Sequence, residues 1–454
     1  MSMRKQLAAA RIGEPTLHRA LALLMFGWIA VVFLIAVVGY RGDTFTNAIS
    51  FRVDDGWCVK GAESLGAHCF GDYGYARSRG GMKEVYSHHN IDAANSPLTV
   101  IVFESLRQFG YRTGLVIYTM TLIGAVAIVA WWGARRRNLM DKSVLYFAAG
   151  VASLGALVAV DRGNPVTWLA TLMLAYIVAV ERRAWGLAAA ALAVLAALKF
   201  WGILLIVVLL AKRQYSWAAR ALALTALLYL VPLFFLPTSM PNKIKTMLWA
   251  VTNRDYADAV VRFAVSPYSL LVRTACYARG SAVCDPVHPA ASIPGAPVVA
   301  VVLSLGLAVW AYAMCRGFDG SALLAYGPAI SLAFLAVPEA GVYNLVVTVV
   351  MFALLARYES DSKGNLASVS VSSDRKLTIW AMVIAMAVAT VPIPLVLKAG
   401  TGSITLLGDV RVSYVAVPVA WMVVVALTTR LLISERRASN RNGSRRTSTV
   451  SSGS

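Results

Sequence analysis

Apolar runs alternate with short polar stretches along almost the whole chain. Spanning a bilayer core takes roughly 20 apolar residues in a helix, and runs near that length recur from residue 20 to residue 433. The stretches 20–40, 113–132, 143–160, 166–180, 222–236, 298–313, 323–337, 345–355, 377–397 and 412–433 read as spans. Two runs break the pattern. Residues 96–110 are apolar but short, and Glu104, Arg107 and Gln108 interrupt them, which predicts a helix lying along a membrane surface or dipping into it. Residues 186–210 lie between two basic flanks, "ERRAW" and "AKRQY", with too few residues for two full crossings. That spacing predicts a helical hairpin with short legs and "LKFWG" at its tip.

The fold class expected is therefore an all-α polytopic membrane protein with about twelve membrane segments. Charge orients it. The chain carries 14% charged residues, against about a quarter in soluble domains, and a formal net charge of +20. Lys and Arg cluster between the apolar runs, as the positive-inside rule requires, so the excess does not indicate nucleic-acid binding. Arg4, Lys5, Arg11 and Arg19 precede the first span and place the N-terminus inside. Alternation then places both termini in the cytoplasm and two large loops outside, 41–111 and 237–295. The first run is too long for a signal-peptide core and reads as an uncleaved span. Residues 1–433 form one integral membrane domain. Residues 434–454 are rich in Ser, Arg and Asn and read as a disordered basic tail. No glycine-rich phosphate loop stands in a suitable context, which argues against ATP-driven transport.

Cysteine usage fits this topology. Cys58 and Cys69 share the first outer loop, Cys276 and Cys284 share the second, and Cys315 stands alone near an inner membrane end. Disulfides Cys58–Cys69 and Cys276–Cys284 suit an oxidising exterior; four unpaired thiols are the alternative. No metal site is expected, since neither pair has partners at zinc spacing, and "SHHN" (87–90) lacks a carboxylate or Cys at helical spacing.

Lipid penalises polar groups, so those inside apolar runs are informative. Lys199 falls at the tip of the predicted hairpin. It either reaches for water or a structural counter-ion, or faces a phosphate. In "VDRGNP", Asp161 and Arg162 pair at a helix end or contribute to a site, and Asn164 sits in the turn before the helix-starting Pro165. Arg162 and Lys199 occupy neighbouring segments pointing the same way, so one anion can meet both. The second outer loop is basic, and Arg254 and Arg262 supply guanidinium forks suited to phosphate, or simply face water and lipid headgroups. Asp54 and Asp55 follow the first span on its outer side. They are ordinary loop acids, or one of them is a general base taking a proton from an attacking hydroxyl. Against a phosphate leaving group such a site needs cations but no acid.

Three stretches carry a family resemblance. The first is Asp55 with "GWCVK", "GAESL", "FGDY" and "SPLTVIVFESL". The second runs from "DRGNPVTW" through "ERRAWGLAAAALAVLAALKFWG" to "AKRQYSWAA". The third is the late turn "VPEAGVYNLVV". They resemble the polyprenyl-phosphate-mannose-dependent mannosyltransferase-like family (glycosyltransferase family 87, the DUF2029 group) over about residues 20–355. The resemblance implies a GT-C architecture and transfer of a sugar, mannose by family habit, from a polyprenyl-phosphate donor, with inversion at the anomeric carbon. It implies the general base on Asp55, with Asp54 as a neighbouring like charge that raises its proton affinity. It also implies that Lys199 meets the donor. Two departures stand out. Trp201 replaces a proline that the family carries two residues after the lysine. The late turn has no His, so Tyr343 or Asn344 would fill that place, and Glu339 in the same turn is a further site candidate.

The expected function is a plasma-membrane glycosyltransferase whose site faces outside. The acceptor would be a glycolipid or polysaccharide hydroxyl, and no cofactor is implied. The rival is a transporter or flippase of a lipid-linked sugar, which would also use an intramembrane Lys and outer cations, but not Asp55.

Overall fold

The computed structural model describes residues 96–135, 165–236, 238–252, 266–279, 293–316, 322–337, 346–365, 377–379, 381–382, 384–386 and 413–450. The predicted spans 20–40 and 143–160 and the first outer loop up to residue 95 lie outside them. All secondary structure among the described residues is helical. Among the described residues, four helices are long and apolar enough to cross a membrane: Thr113–Ala134, Tyr215–Phe235, Ala296–Cys315 and Val415–Arg437. With the shorter apolar helices packed among them, they make this a membrane protein.

The chain begins with α1 (Pro97–Arg107), α2 (Tyr111–Ala134) and α3 (Val166–Glu181). Trp168 Nε1 donates to Thr121 Oγ1 at 3.1 Å, and Thr171 Oγ1 donates to the Ala125 carbonyl at 2.7 Å. These bonds set α3 parallel to α2, partners advancing together along both helices. After α3 comes the hairpin: α4 (Trp185–Leu198), a 3-10 turn Phe200–Leu205, and α5 (Ile206–Ala211). Then follow α6 (Tyr215–Phe235), α7 (Met240–Thr252), α8 (Pro267–Arg279), α9 (Ala296–Cys315), α10 (Ala322–Leu335), α11 (Val347–Asn365) and α12 (Ser413–Val450).

The core sits between α2, α3, α4, α10 and α11, where small residues let backbones meet. A Cβ on Gly133 would stand 2.7 Å from Ala353 Cα, so α2 and α11 touch main chain to main chain. Tyr176 Oη donates to the Leu205 carbonyl at 3.0 Å, tying α3 to the end of the 3-10 turn. The other side of α9 stays open, with Val298, Val302, Leu305 and Val309 exposed. In a bilayer such a face meets acyl chains, at no cost in water contact.

One end of the bundle is basic. Arg357 Nη1 lies 3.5 Å from Glu181 Oε2, and its guanidinium stands 4.5 Å from the centre of the Trp132 ring. Arg436 Nη2 donates to the carbonyls of Ala313, Met314 and Arg316, closing the C-terminus of α9 with a cation, where the helix dipole favours one. The hairpin rises from this end between two tight turns of one design. After α3, Ala184 N donates to Ala179 O and Arg183 N to Val180 O. After α5, Gln214 N donates to Leu209 O and Arg213 N to Leu210 O. Both are Schellman closures, and both put an arginine where glycine is usual, Arg183 at φ 56° and Arg213 at φ 58°.

Three helices run further than hydropathy predicts. α6 starts at Tyr215 rather than near 222, and Arg220 in its first turns stacks 4.2 Å from the Trp217 ring centre. α11 continues to Asn365, ten residues beyond the span expected at 345–355. α12 carries helical backbone to Val450, through the polar residues for which composition predicts disorder. Adding a residue to an existing helix is cheap once its nucleus is formed, so a polar sequence after a membrane-length helix can extend it.

Candidate functional site

The end of the bundle opposite the basic one is organised around the hairpin tip. α4 leaves its basic turn at Trp185 and ends at Leu198 after 14 residues, a rise of about 21 Å. Its helical ladder stops at Lys199, whose backbone is extended (φ −143°, ψ 115°), and the chain turns back through the 3-10 segment. Gly202 N donates to Lys199 O at 2.8 Å, closing the turn. Gly202 is buried against the outgoing leg. A Cβ there would fall 1.7 Å from Leu195 Cδ2 and 3.1 Å from the Leu195 carbonyl carbon. The leucine side chain can swing away, but the main-chain carbon cannot. Gly202→Ala should therefore cost about 1–3 kcal/mol of overpacking. The expected result is a lower thermal unfolding midpoint in detergent for this variant than for an alanine at the open Gly306.

Side chains at the tip divide by environment. Trp201 packs against the main core and holds the turn in place. Lys199 is half-buried, and Phe200 is 71% exposed.

α1 is seated on this tip. Ser96 caps it, its hydroxyl accepting from Thr99 N at 3.2 Å, and Pro97 fills the first turn, where a missing N–H costs nothing. The Ser96 and Thr99 hydroxyls lie 2.9 Å apart, both buried, and Thr99 Oγ1 donates to the Leu198 carbonyl at 3.3 Å. The positive end of the α1 dipole thus abuts the residue before Lys199. This is the helix expected to lie along or dip into the surface. Its Val100 packs with Leu233 and Leu236 of the α6 end, while Ser105 and Gln108 are exposed.

α7 closes the next edge. It presents an unusual polarity, burying Lys243 and Thr246 while exposing Ile244 and Leu248. The Lys243 ammonium donates to the carbonyls of Leu233 and Leu236, the last acceptors of α6. Hydrogen bonds to charged groups are worth about 1.5–3 kcal/mol each when a partner is deleted. Lys243→Met keeps the apolar stem but orphans both carbonyls. It should lower the unfolding midpoint by several degrees in detergent. Beyond it, α8 carries Arg273, 5% exposed, with Nε donating to Ser269 O at 3.1 Å and Nη2 to Ser269 Oγ at 3.2 Å. Cys276 on the same helix is buried and disulfide-bonded.

Of the residues expected to form a site, Lys199 lies among the described residues. Asp54, Asp55, Asp161, Arg162, Asn164, Arg254, Arg262, Glu339, Tyr343 and Asn344 lie outside them, as do Cys58, Cys69 and Cys284. Among the described residues, no group of three or more His, Cys, Asp or Glu is placed to hold a metal. Sequence reasoning put Lys243 in a basic loop without separating it from its neighbours. Its role depends on α7 folding back over α6, which no local pattern announces. The α1 cap, by contrast, has a local signal in Ser96–Pro97 before an apolar run.

The elements around the tip, from α1 through α10, coincide with the reach of one family model. The model of glycosyltransferase family 87 matches residues 94–338, more than half of the 454-residue chain. The chain belongs to glycosyltransferase family 87. It is a membrane glycosyltransferase, acting on a sugar donor and an acceptor. No curated protein matches it, and no solved structure does. The family match opens two residues before Ser96 and takes in the whole hairpin. Lys199, Arg162, Arg254 and Arg262 fall inside it, whereas Asp54 and Asp55 precede it.

Proposed function

We propose that this glycosyltransferase moves a sugar, mannose as the first donor to test, from a polyprenyl phosphate to an acceptor hydroxyl on the outer face of the plasma membrane, with inversion. The acceptor is a glycolipid or polysaccharide. One observation carries the reading: Lys199 breaks an apolar hairpin about 21 Å from its basic base, beside the positive end of α1. A cation at that depth, inside a core roughly 30 Å thick, suits an anion that arrives with a lipid tail.

In this reading both termini and the basic turns are cytoplasmic, as the clustering of Lys and Arg supports. Asp55 takes the proton of the acceptor hydroxyl as its oxygen attacks the anomeric carbon. The bond from that carbon to the phosphate oxygen breaks, and polyprenyl phosphate departs with the electron pair. Lys199, with Arg162, Arg254 and Arg262, stabilises the phosphate's charge, so no acid is needed. Asp54 keeps a like charge beside the base. Asp161, Asn164, Glu339, Tyr343 and Asn344 are the candidates for holding the sugar. Cys58–Cys69 and Cys276–Cys284 tie the outer loops that carry them.

The test uses purified full-length protein in detergent with radiolabelled polyprenyl-phosphate mannose and a set of glycolipid acceptors. Label should pass to an acceptor without any membrane gradient. Label that stays on the donor, but crosses the bilayer of proteoliposomes, would instead establish the transporter reading.

A further inference from the structure

Phe200 is an anomaly in the tip. Its neighbours are all committed: Leu198 is buried, Trp201 packs into the core, and Gly202 is pressed against Leu195. Phe200 alone among them stands out, 71% exposed, one residue from a cation. Position makes this exposure meaningful. The 14-residue leg raises the tip about 21 Å from the basic end, so Phe200 stops roughly 9 Å short of the far interface of a 30 Å core. At that depth its ring meets hydrocarbon, and leaving such a ring to water would cost about 1.5–3 kcal/mol.

A ligand that presents an anion to Lys199 and hydrocarbon to Phe200 has a phosphate joined directly to an apolar chain. A nucleotide sugar offers the phosphate but sets a polar ribose between it and the base, so no apolar group adjoins the charge. A diacyl phospholipid places a glycerol between the two, setting its chains farther from the charge. We propose that Phe200 is the contact for the first isoprene units of the donor's polyprenyl chain, so that the tip reads the donor as phosphate plus prenyl, through adjacent residues. This rests on the donor class proposed above and adds the residue that selects the lipid. Phe200 is a binding residue in this scheme and takes no part in the bond changes.

The experiment compares wild type, Phe200→Ala and Phe200→Leu with two donors, polyprenyl-phosphate mannose and methyl-phosphate mannose. With the prenyl donor, Phe200→Ala should raise KM about tenfold, with kcat within a factor of two. Phe200→Leu should restore most of the loss. With the methyl donor, wild type and Phe200→Ala should have the same kcat/KM. Equal KM values for wild type and Phe200→Ala on the prenyl donor would show that the ring meets only bulk lipid, overturning the inference while the donor class stands. Equal losses on both donors would make Phe200 a general support of the tip and would also overturn it. A wild-type protein that turns over neither donor, but uses another, overturns the donor class first and the inference with it. Because the ring is exposed, Phe200→Ala should unfold at the wild-type temperature, and size-exclusion profiles check this.

Discussion

Asp55→Asn should reduce turnover of a polyprenyl-phosphate sugar by about 10²- to 10⁴-fold, the range a positioned general base contributes. The amide is nearly isosteric with the carboxylate but does not accept the acceptor's proton at neutral pH. In the proposed mechanism donor binding depends on cations elsewhere, so donor KM should change little. The companion substitution Asp54→Asn should act differently. In the proposed site, removing the neighbouring like charge should let Asp55 ionise more readily. Activity should then persist, with the acidic limb of its pH profile moved to lower pH. Radiolabel transfer measured across a pH series for both variants checks the pair. Full turnover by Asp55→Asn would remove the base from this position, and an identical loss in both variants would mean that neither acid is special.

Lys199→Met should lower kcat/KM by about 10²- to 10³-fold, as the loss of one preorganised charge-stabilising group does in other enzymes. Methionine keeps the apolar stem in the tip and removes the ammonium, so the hairpin should still fold. Lys199→Arg should retain part of the activity, because it keeps the charge but replaces a compact ammonium with a planar fork. Binding of polyprenyl phosphate alone, measured for wild type and Lys199→Met, separates ground-state capture from stabilisation of the leaving group. A wild-type rate in Lys199→Met would reduce this lysine to a structural cation.

Much of this arrangement was visible in the sequence because lipid is an unforgiving solvent. The hairpin tip could be located from residue arithmetic between two basic flanks, and Lys199 was conspicuous because so few charges interrupt the apolar runs. What escaped reading is of another kind. The early start of α6 at Tyr215 and the extension of α11 to Asn365 concern helix continuity, whereas hydropathy reports contact with lipid. Lys243 and Phe200 have meaning only through tertiary placement, one beneath a folded-back helix and one at the depth where a hairpin stops. No pattern within a few residues of either distinguishes them from an ordinary loop lysine and an ordinary core phenylalanine.

The paired arginine turns have a consequence for precision. Arg183 and Arg213 hold left-handed backbone that a glycine would adopt with less strain, so each turn keeps its charge at a local conformational cost of about 1–3 kcal/mol. Charge is what ties a turn to the aqueous boundary. With both ends of the hairpin moored there, the depth of Lys199 is fixed by counting residues along α4, as a weight is fixed by the length of its line. One alanine inserted into α4 would lower or raise that ammonium by about 1.5 Å and swing it by about 100°. The depth of this charge is thus set by chain length, counted from the basic end of the bundle.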